Sequence, residues 1–213
     1  MSNIELQPLP AALIERVQAL LQGTDRVLLG IVGPPGAGKS TLAAGLQAAL
    51  PAGLAQVVPM DGYHLAQVEL ERLGRAARKG APDTFDSAGY VALLQRLRRQ
   101  AADETVYAPD FRREIEEPVA GAIPVHPATR LVITEGNYLL MDEGHWVDVA
   151  PVLDEIWYVD VDDALRIERL MARHERHGRS AQAARDWVMS TDEPNARRIA
   201  ATRARAHLRV AWT

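Results

Sequence analysis

The stretch RVLLGIVGPPGAGKSTLAAGLQAAL, residues 26–50, decides how the chain folds. Its first seven residues are an apolar run with the length and β-branched content of a buried parallel strand. Gly33, Gly38, Lys39 and Ser40 then fit the spacing G-x-x-x-x-G-K-[ST], and residues 41–50 read as an Ala-rich helix that Pro51 ends. Strand, glycine-rich turn and helix follow in the order a phosphate cradle needs. The glycines let backbone N–H groups converge on a phosphate, assisted by the positive end of the following helix. The whole segment Gly33, Pro34, Pro35, Gly36, Ala37, Gly38, Lys39, Ser40 and Thr41 is therefore expected to hold a nucleotide. Lys39 would reach the β and γ phosphates of ATP, and Ser40 would ligate Mg²⁺. An ordinary glycine turn before a helix is the plain alternative, and the flanking strand and helix weigh against it.

Outward from this motif the pattern repeats. Residues 56–60 form a second mostly apolar run that stops at Asp61, and we expect it beside the strand that carries the glycine loop. Residues 130–134, RLVIT, end on Glu135, and residues 155–161, EIWYVDV, have the same character. Helical spacing appears at residues 13–21, 87–100, 163–177 and 181–189, while the Arg-rich segment 67–81 is punctuated by glycine. Strands alternating with helices imply an α/β fold, a parallel sheet flanked by helices, with ligands at the carboxyl ends of the strands. The 213 residues suit a single domain, since domains usually run to roughly 100 to 200 residues.

Composition narrows the partners. The net charge of −4 gives no standing attraction to nucleic acid or to anionic membrane, so a polyanionic ligand must meet a local cluster of cations. The absence of cysteine removes disulfides, thiolate metal sites and cysteine nucleophiles. Residues 1–22 carry Glu5 and Glu15 and lack a basic segment followed by a continuous apolar core, and no apolar run approaches a bilayer span, so a cytoplasmic location is expected. Apolar periodicity does not separate a homodimer face from the core, and a homodimer stays open. Among 24 Lys plus Arg only Lys39 and Lys79 are lysine. A lysine kept in an arginine-rich chain suggests a place where a compact ammonium works and a planar guanidinium does not.

The acids at strand ends are the next candidates. Asp61 would stand near a γ-phosphate, where it could accept the proton of an attacking alcohol, or it is a turn aspartate before Gly62. Glu135 stands where P-loop proteins keep an acid for Mg²⁺ or its water, and Asn137 and Tyr138 follow it toward substrate or into a loop. Asp160, Asp162 and Asp163 read as a solvated helix start. Arg166, Arg169, Arg173, Arg176 and Arg179 recur at three- and four-residue steps, so several share one helix face. Such a face can close over a triphosphate as a lid, or, with Glu168 and Glu175 interleaved, form a solvated ion-paired surface. His64, His174 and His177 lack zinc-ligand spacing.

Together these residues resemble the bacterial nucleoside/nucleotide kinase family labelled fructose transport system kinases, within the uridine kinase, phosphoribulokinase and pantothenate kinase group. The resemblance runs from residue 26 onward, through GPPGAGKST at 33–41, VVPMDGYHL at 57–65, RKGAPDTFD at 78–86, ITEGNYLL at 133–140, RLMARHERHG at 169–178 and DEPNA at 192–196. It implies a P-loop NTPase fold with a helical arginine-bearing lid over residues 163–180, and an ATP- and Mg²⁺-dependent kinase acting on a hydroxyl of a small polar metabolite. It further implies Asp61 as general base, Lys39 and Glu135 as catalytic partners, and Arg169 and Arg173 as lid cations. Tyr63, His64, Arg78, Lys79, Phe85, Tyr107, Arg113 and Asn137 would contact the acceptor. Arg78, Lys79, Arg112 and Arg113 gathered at one pocket would suit an anionic or sugar-phosphate acceptor, or some of them face solvent. The family has an acid immediately before its arginine where this chain has Arg112 before Arg113. A regulatory P-loop NTPase that hydrolyses ATP without a metabolite acceptor is the second reading, and a non-hydrolysing nucleotide sensor the third.

Overall fold

A computed structural model describes residues 9–212, so Glu5 and the other residues before 9 lie outside it. Seven helices are described: α1 (Ala11–Leu20), α2 (Lys39–Ala48), α3 (Gln67–Arg72), α4 (Ser87–Arg98), α5 (Asp163–Arg176), α6 (Ala181–Trp187) and α7 (Glu193–Ala201). The strands are β1 (Val27–Val32), β2 (Ala55–Pro59), β3 (Val106–Arg112), β4 (Glu117–Val125), β5 (Leu131–Gly136), β6 (Glu155–Asp160) and β7 (Leu208–Ala211). Five of them form one parallel sheet in the order β2-β5-β1-β6-β7.

This order corrects one expectation. β2 does not lie beside β1, because β5 runs between them and pairs with both. The apolar runs look alike in sequence, and nothing in them encodes which neighbour each takes. β1 and β5 are buried along their whole length, which is why they read as continuous apolar runs rather than as alternating ones. Alternation is still present between faces. Leu28 and Val32 of β1 enter the core that packs on α4 and Trp146, whereas Val27, Leu29 and Ile31 enter the core that packs on α1 and α2.

Outside the sheet, β3 and β4 make an antiparallel hairpin that the apolar pattern did not suggest. Pro109, Pro118 and Pro124 interrupt its strands, and much of β4 is exposed, so it lacks the buried run that marks the other strands. Asp162 caps α5 by accepting from the backbone N–H groups of Ala164 and Leu165, in keeping with its reading as a helix start. Between α6 and α7 the chain takes a π-helical turn, Val188–Asp192. Among the described residues no helix is long and apolar enough to cross a membrane.

Candidate active site

Strand register brings the acids together. Glu135 lies between Ile31 of β1 and Pro59 of β2 at the carboxyl end of the sheet. Two residues beyond Pro59, Asp61 sits on a 3₁₀ turn, Met60–Tyr63, over the same edge. The glycine loop leaves β1 alongside them and enters α2, putting Lys39 and Ser40 in the helix's first turn.

The loop takes left-handed conformations at Gly36 (φ +80°) and Gly38 (φ +91°). Both glycines are also pinned from behind. A Cβ on Gly36 would stand 2.8 Å from the Arg166 carbonyl oxygen and from the Leu170 side chain, and one on Gly38 would stand 2.7 Å from the Trp212 indole. The root of α5 and the residue after β7 thus form the floor of the loop. Pro35, Gly36, Lys39 and Ser40 face a cavity of about 440 Å³, while Gly33, Pro34, Ala37, Gly38 and Thr41 shape the loop behind them.

The Lys39 ammonium donates to the Pro34 carbonyl (3.2 Å) and to Asn137 Oδ1 (2.7 Å). Burial depresses its pKa, opposed by the charges of Glu135 and Asp61. Ser40 Oγ donates to Glu135 Oε1 at 2.8 Å. Burial raises the Glu135 carboxyl, and the Asp61 charge pushes the same way. A hydroxyl and a carboxylate, both oxygen donors, therefore meet beside the cradle, a donor set that fits Mg²⁺, which takes oxygen ligands and keeps several waters. Among the described residues no group of three or more His, Asp or Glu side chains is gathered as a metal site.

His64, Lys79, Phe85, Phe111 and Arg113 line a further part of the same cavity, its second lobe. His64 lies against both Phe85 and Phe111, with ring centroids 4.0 and 4.6 Å away and planes tilted by 41° and 44°, and its Nδ1 lies 2.7 Å from the Asp61 carbonyl oxygen. Burial holds its pKa below the ordinary imidazole value, with Asp61 opposing. Lys79 Nζ reaches into this lobe from the segment before the 3₁₀ turn Pro82–Thr84, and Arg113 from the hairpin tip. Arg113 Nη2 donates to Asp61 Oδ2 at 3.1 Å. Helix α5 contributes Arg173, for whose side chain no hydrogen bond or ion pair is found among the described residues and whose pKa is lowered first by burial and then by Arg113.

Several expected site residues stand away from the cavity wall. Arg78 pairs outside it with Asp83, Tyr107 is exposed on the hairpin, and Arg169 does not line it. Tyr63 packs into the core against Tyr90 at 5.5 Å, and Tyr138 is buried, its hydroxyl donating to the Gly80 carbonyl. Arg112 turns outward to Glu114, so the charge change before Arg113 does not enter the pocket. Arg166 is not part of an exposed cationic face. It is 1% exposed and is held by Glu193 at 2.5 Å and Asp163 at 3.0 Å. It therefore ties α5 to α7 and the glycine loop rather than facing a ligand.

Other residues on the wall carry little signal in the sequence. Glu116 turns the hairpin in a left-handed conformation (φ +53°). The π-helical turn brings Asp192 to His174 Nε2 at 2.9 Å and sets the buried carboxamide of Asn195 on the cavity wall. Trp187 carries the Arg179 guanidinium 3.9 Å over its ring. The motif DEPNA was the one available signal for Asp192 and Asn195. Helical periodicity carries no sign of a π turn.

No family model matches the chain. A Schizosaccharomyces pombe protein named "putative uridine kinase" is 37% identical over 170 residues, covering 76% of this chain and 72% of that protein. YggC of Escherichia coli K12 is 32% identical over 219 residues, covering 99% and 89%. The crystal structure of a "putative fructose transport system kinase" from Silicibacter sp. TM1040 superposes with a TM-score of 0.86 at 42% identity, over 95% of this chain and 98% of that one. The chain belongs to the P-loop kinase family. That membership agrees with the parallel sheet and with the glycine loop entering α2, and it accounts for a cavity that runs on past the loop to a second set of polar side chains in this P-loop kinase.

Proposed function

We propose that this P-loop kinase uses Mg-ATP to phosphorylate a hydroxyl of a small polar metabolite, of the kind found on sugars, nucleosides and pantothenate-like alcohols. The observation that carries this reading is that Asp61 lines one continuous cavity together with Lys39, Ser40 and Glu135 of the phosphate cradle and with Lys79, His64 and Phe111. A hydroxyl entering from the second lobe would meet Asp61 as general base. Its proton passes to the carboxylate, its oxygen forms the new bond to the γ-phosphorus, and the bond to the β-γ bridging oxygen breaks to leave ADP.

Lys39 binds the β and γ phosphates once it leaves the Pro34 carbonyl. Ser40 and Glu135 would hold Mg²⁺, which would neutralise phosphate charge in the nucleotide. Arg173, cationic and without a protein partner among the described residues, faces the cavity from the lid and offsets charge on the transferred group. Asn137 holds the Lys39 ammonium and so sets where that charge sits. A hydrolytic switch has no use for the aromatic lobe beyond Asp61, since water needs no such wall.

Asp61→Asn tests the reading. It should lower phosphoryl transfer about a hundredfold or more, the scale of a general base, while Mg-ATP binding by calorimetry stays within the wild-type range. Undiminished transfer would remove Asp61 from the mechanism.

A further inference from the structure

The second lobe holds two cations in an unusual balance. Lys79 Nζ donates to the Glu116 carbonyl at 2.6 Å and lies 3.5 Å from Gln67 Oε1, both neutral oxygens, and no carboxylate among the described residues pairs with it. Arg113 has one ionic contact, Nη2 to Asp61 Oδ2, which leaves the remaining guanidinium N–H groups to other acceptors. Both cations lie near the same ring, Lys79 Nζ 5.6 Å and Arg113 Cζ 5.8 Å from the Phe111 centroid. The hairpin tip is built to keep them there. Glu116 holds a left-handed conformation that a residue with a side chain seldom adopts, and it is the Glu116 carbonyl that takes the Lys79 ammonium. Arg78 and Arg112, the neighbouring cations, are turned outward onto Asp83 and Glu114. Two of four adjacent cations are thus selected for the cavity, and one of them lacks a counter-ion.

We propose that the acceptor is an anionic alcohol whose carboxylate or phosphate docks between Lys79 and Arg113, and that Arg113, touching Asp61 as well, sets the hydroxyl to be phosphorylated within a few bonds of that anionic group. The inference rests on the kinase reading above. Charge-assisted hydrogen bonds from both cations give affinity, and the fork of the guanidinium allows it to hold an oxyanion and the Asp61 carboxylate together. Arg113 is in this sense a positioning residue for Asp61 as well as part of the acceptor site.

The test measures phosphorylated product by mass in matched sets, for example ribose, ribonate and ribose 5-phosphate, with the wild type and the variants Lys79→Gln, Lys79→Arg, Arg113→Gln and Arg112→Gln. The carboxylate or the phosphate member should exceed its neutral parent in kcat/KM by about tenfold or more, the worth of a charge-assisted hydrogen bond. The carboxylate and phosphate arms show which oxyanion the site takes. Lys79→Gln should raise KM for that acceptor about tenfold with kcat within about twofold, and Lys79→Arg should recover part of the loss. Arg113→Gln should raise KM and lower kcat together, and Arg112→Gln should change neither. Neutral parents phosphorylated as well as their anionic counterparts, or an unchanged KM in a folded Lys79→Gln, would overturn the anion site and leave the kinase reading standing. ATP consumption that is independent of every acceptor, with no phosphorylated product, would overturn both.

Discussion

His64 shows how a single side chain is committed by its surroundings. Two aromatic rings enclose it, Asp61 faces it from the same turn, and Lys79 and Arg113 face it from the neighbouring segment and the hairpin. Its pKa is depressed, so in the folded protein it stays neutral where an unfolded histidine gains a proton. The stability this gives is present above the ordinary value near 6.5 and is lost as pH falls through the lower folded value. The unliganded wild type should therefore lose more melting temperature between about pH 7.5 and 5.5 than His64→Gln does. Equal losses in the two proteins would show that His64 is not held neutral. At this scale the sequence was most legible where chemistry and spacing coincide. Lys39, Ser40, Asp61 and Glu135 meet because strand ends and a glycine loop bring them together. Glu116 and Asn195 were hidden or weakly marked because a hairpin tip and a π turn leave little periodic trace.

Helix α5 and the last strand are the elements whose roles depend most on tertiary contact. α5 reads as a row of arginines at helical spacing, yet Arg166 is sealed beneath the glycine loop and Arg173 faces the cavity. Spacing places both on related faces, and only packing against α7 decides which is buried. Arg166→Met should destabilise the protein by about 3–5 kcal/mol in urea unfolding, because Glu193 is then left largely buried without its partner. An unchanged midpoint would mean that the ion pair contributes nothing. Trp212, just past β7, fills the space behind Gly38. Trp212→Ala should cost about 3–5 kcal/mol, as large-to-alanine core changes do, and should also weaken nucleotide binding because the loop loses its floor. Normal nucleotide affinity in a folded Trp212→Ala would separate the floor from the function. β7 escaped sequence reading because it is four residues long and half exposed, too short for a period to show.

Across the whole molecule, two cores on opposite faces of one parallel sheet pack that sheet in place, and the cavity is walled by its carboxyl edge together with segments that project above it. The β5 insertion between β1 and β2 matters most here, since it sets Glu135 between the loop strand and the strand that leads to Asp61. The cavity then joins a cradle for a triphosphate to a lobe with its own cations, an arrangement suited to passing a phosphoryl group between two ligands. The measurement that tests this most directly is the balance of products from Mg-ATP across a panel of sugars, sugar phosphates, sugar acids, polyols, nucleosides and pantothenate. The account predicts one acceptor class for which ADP and phosphorylated acceptor form in equal amounts, with both lost in Asp61→Asn. ADP matched by free phosphate in every well, the acceptor-free well included, would contradict it.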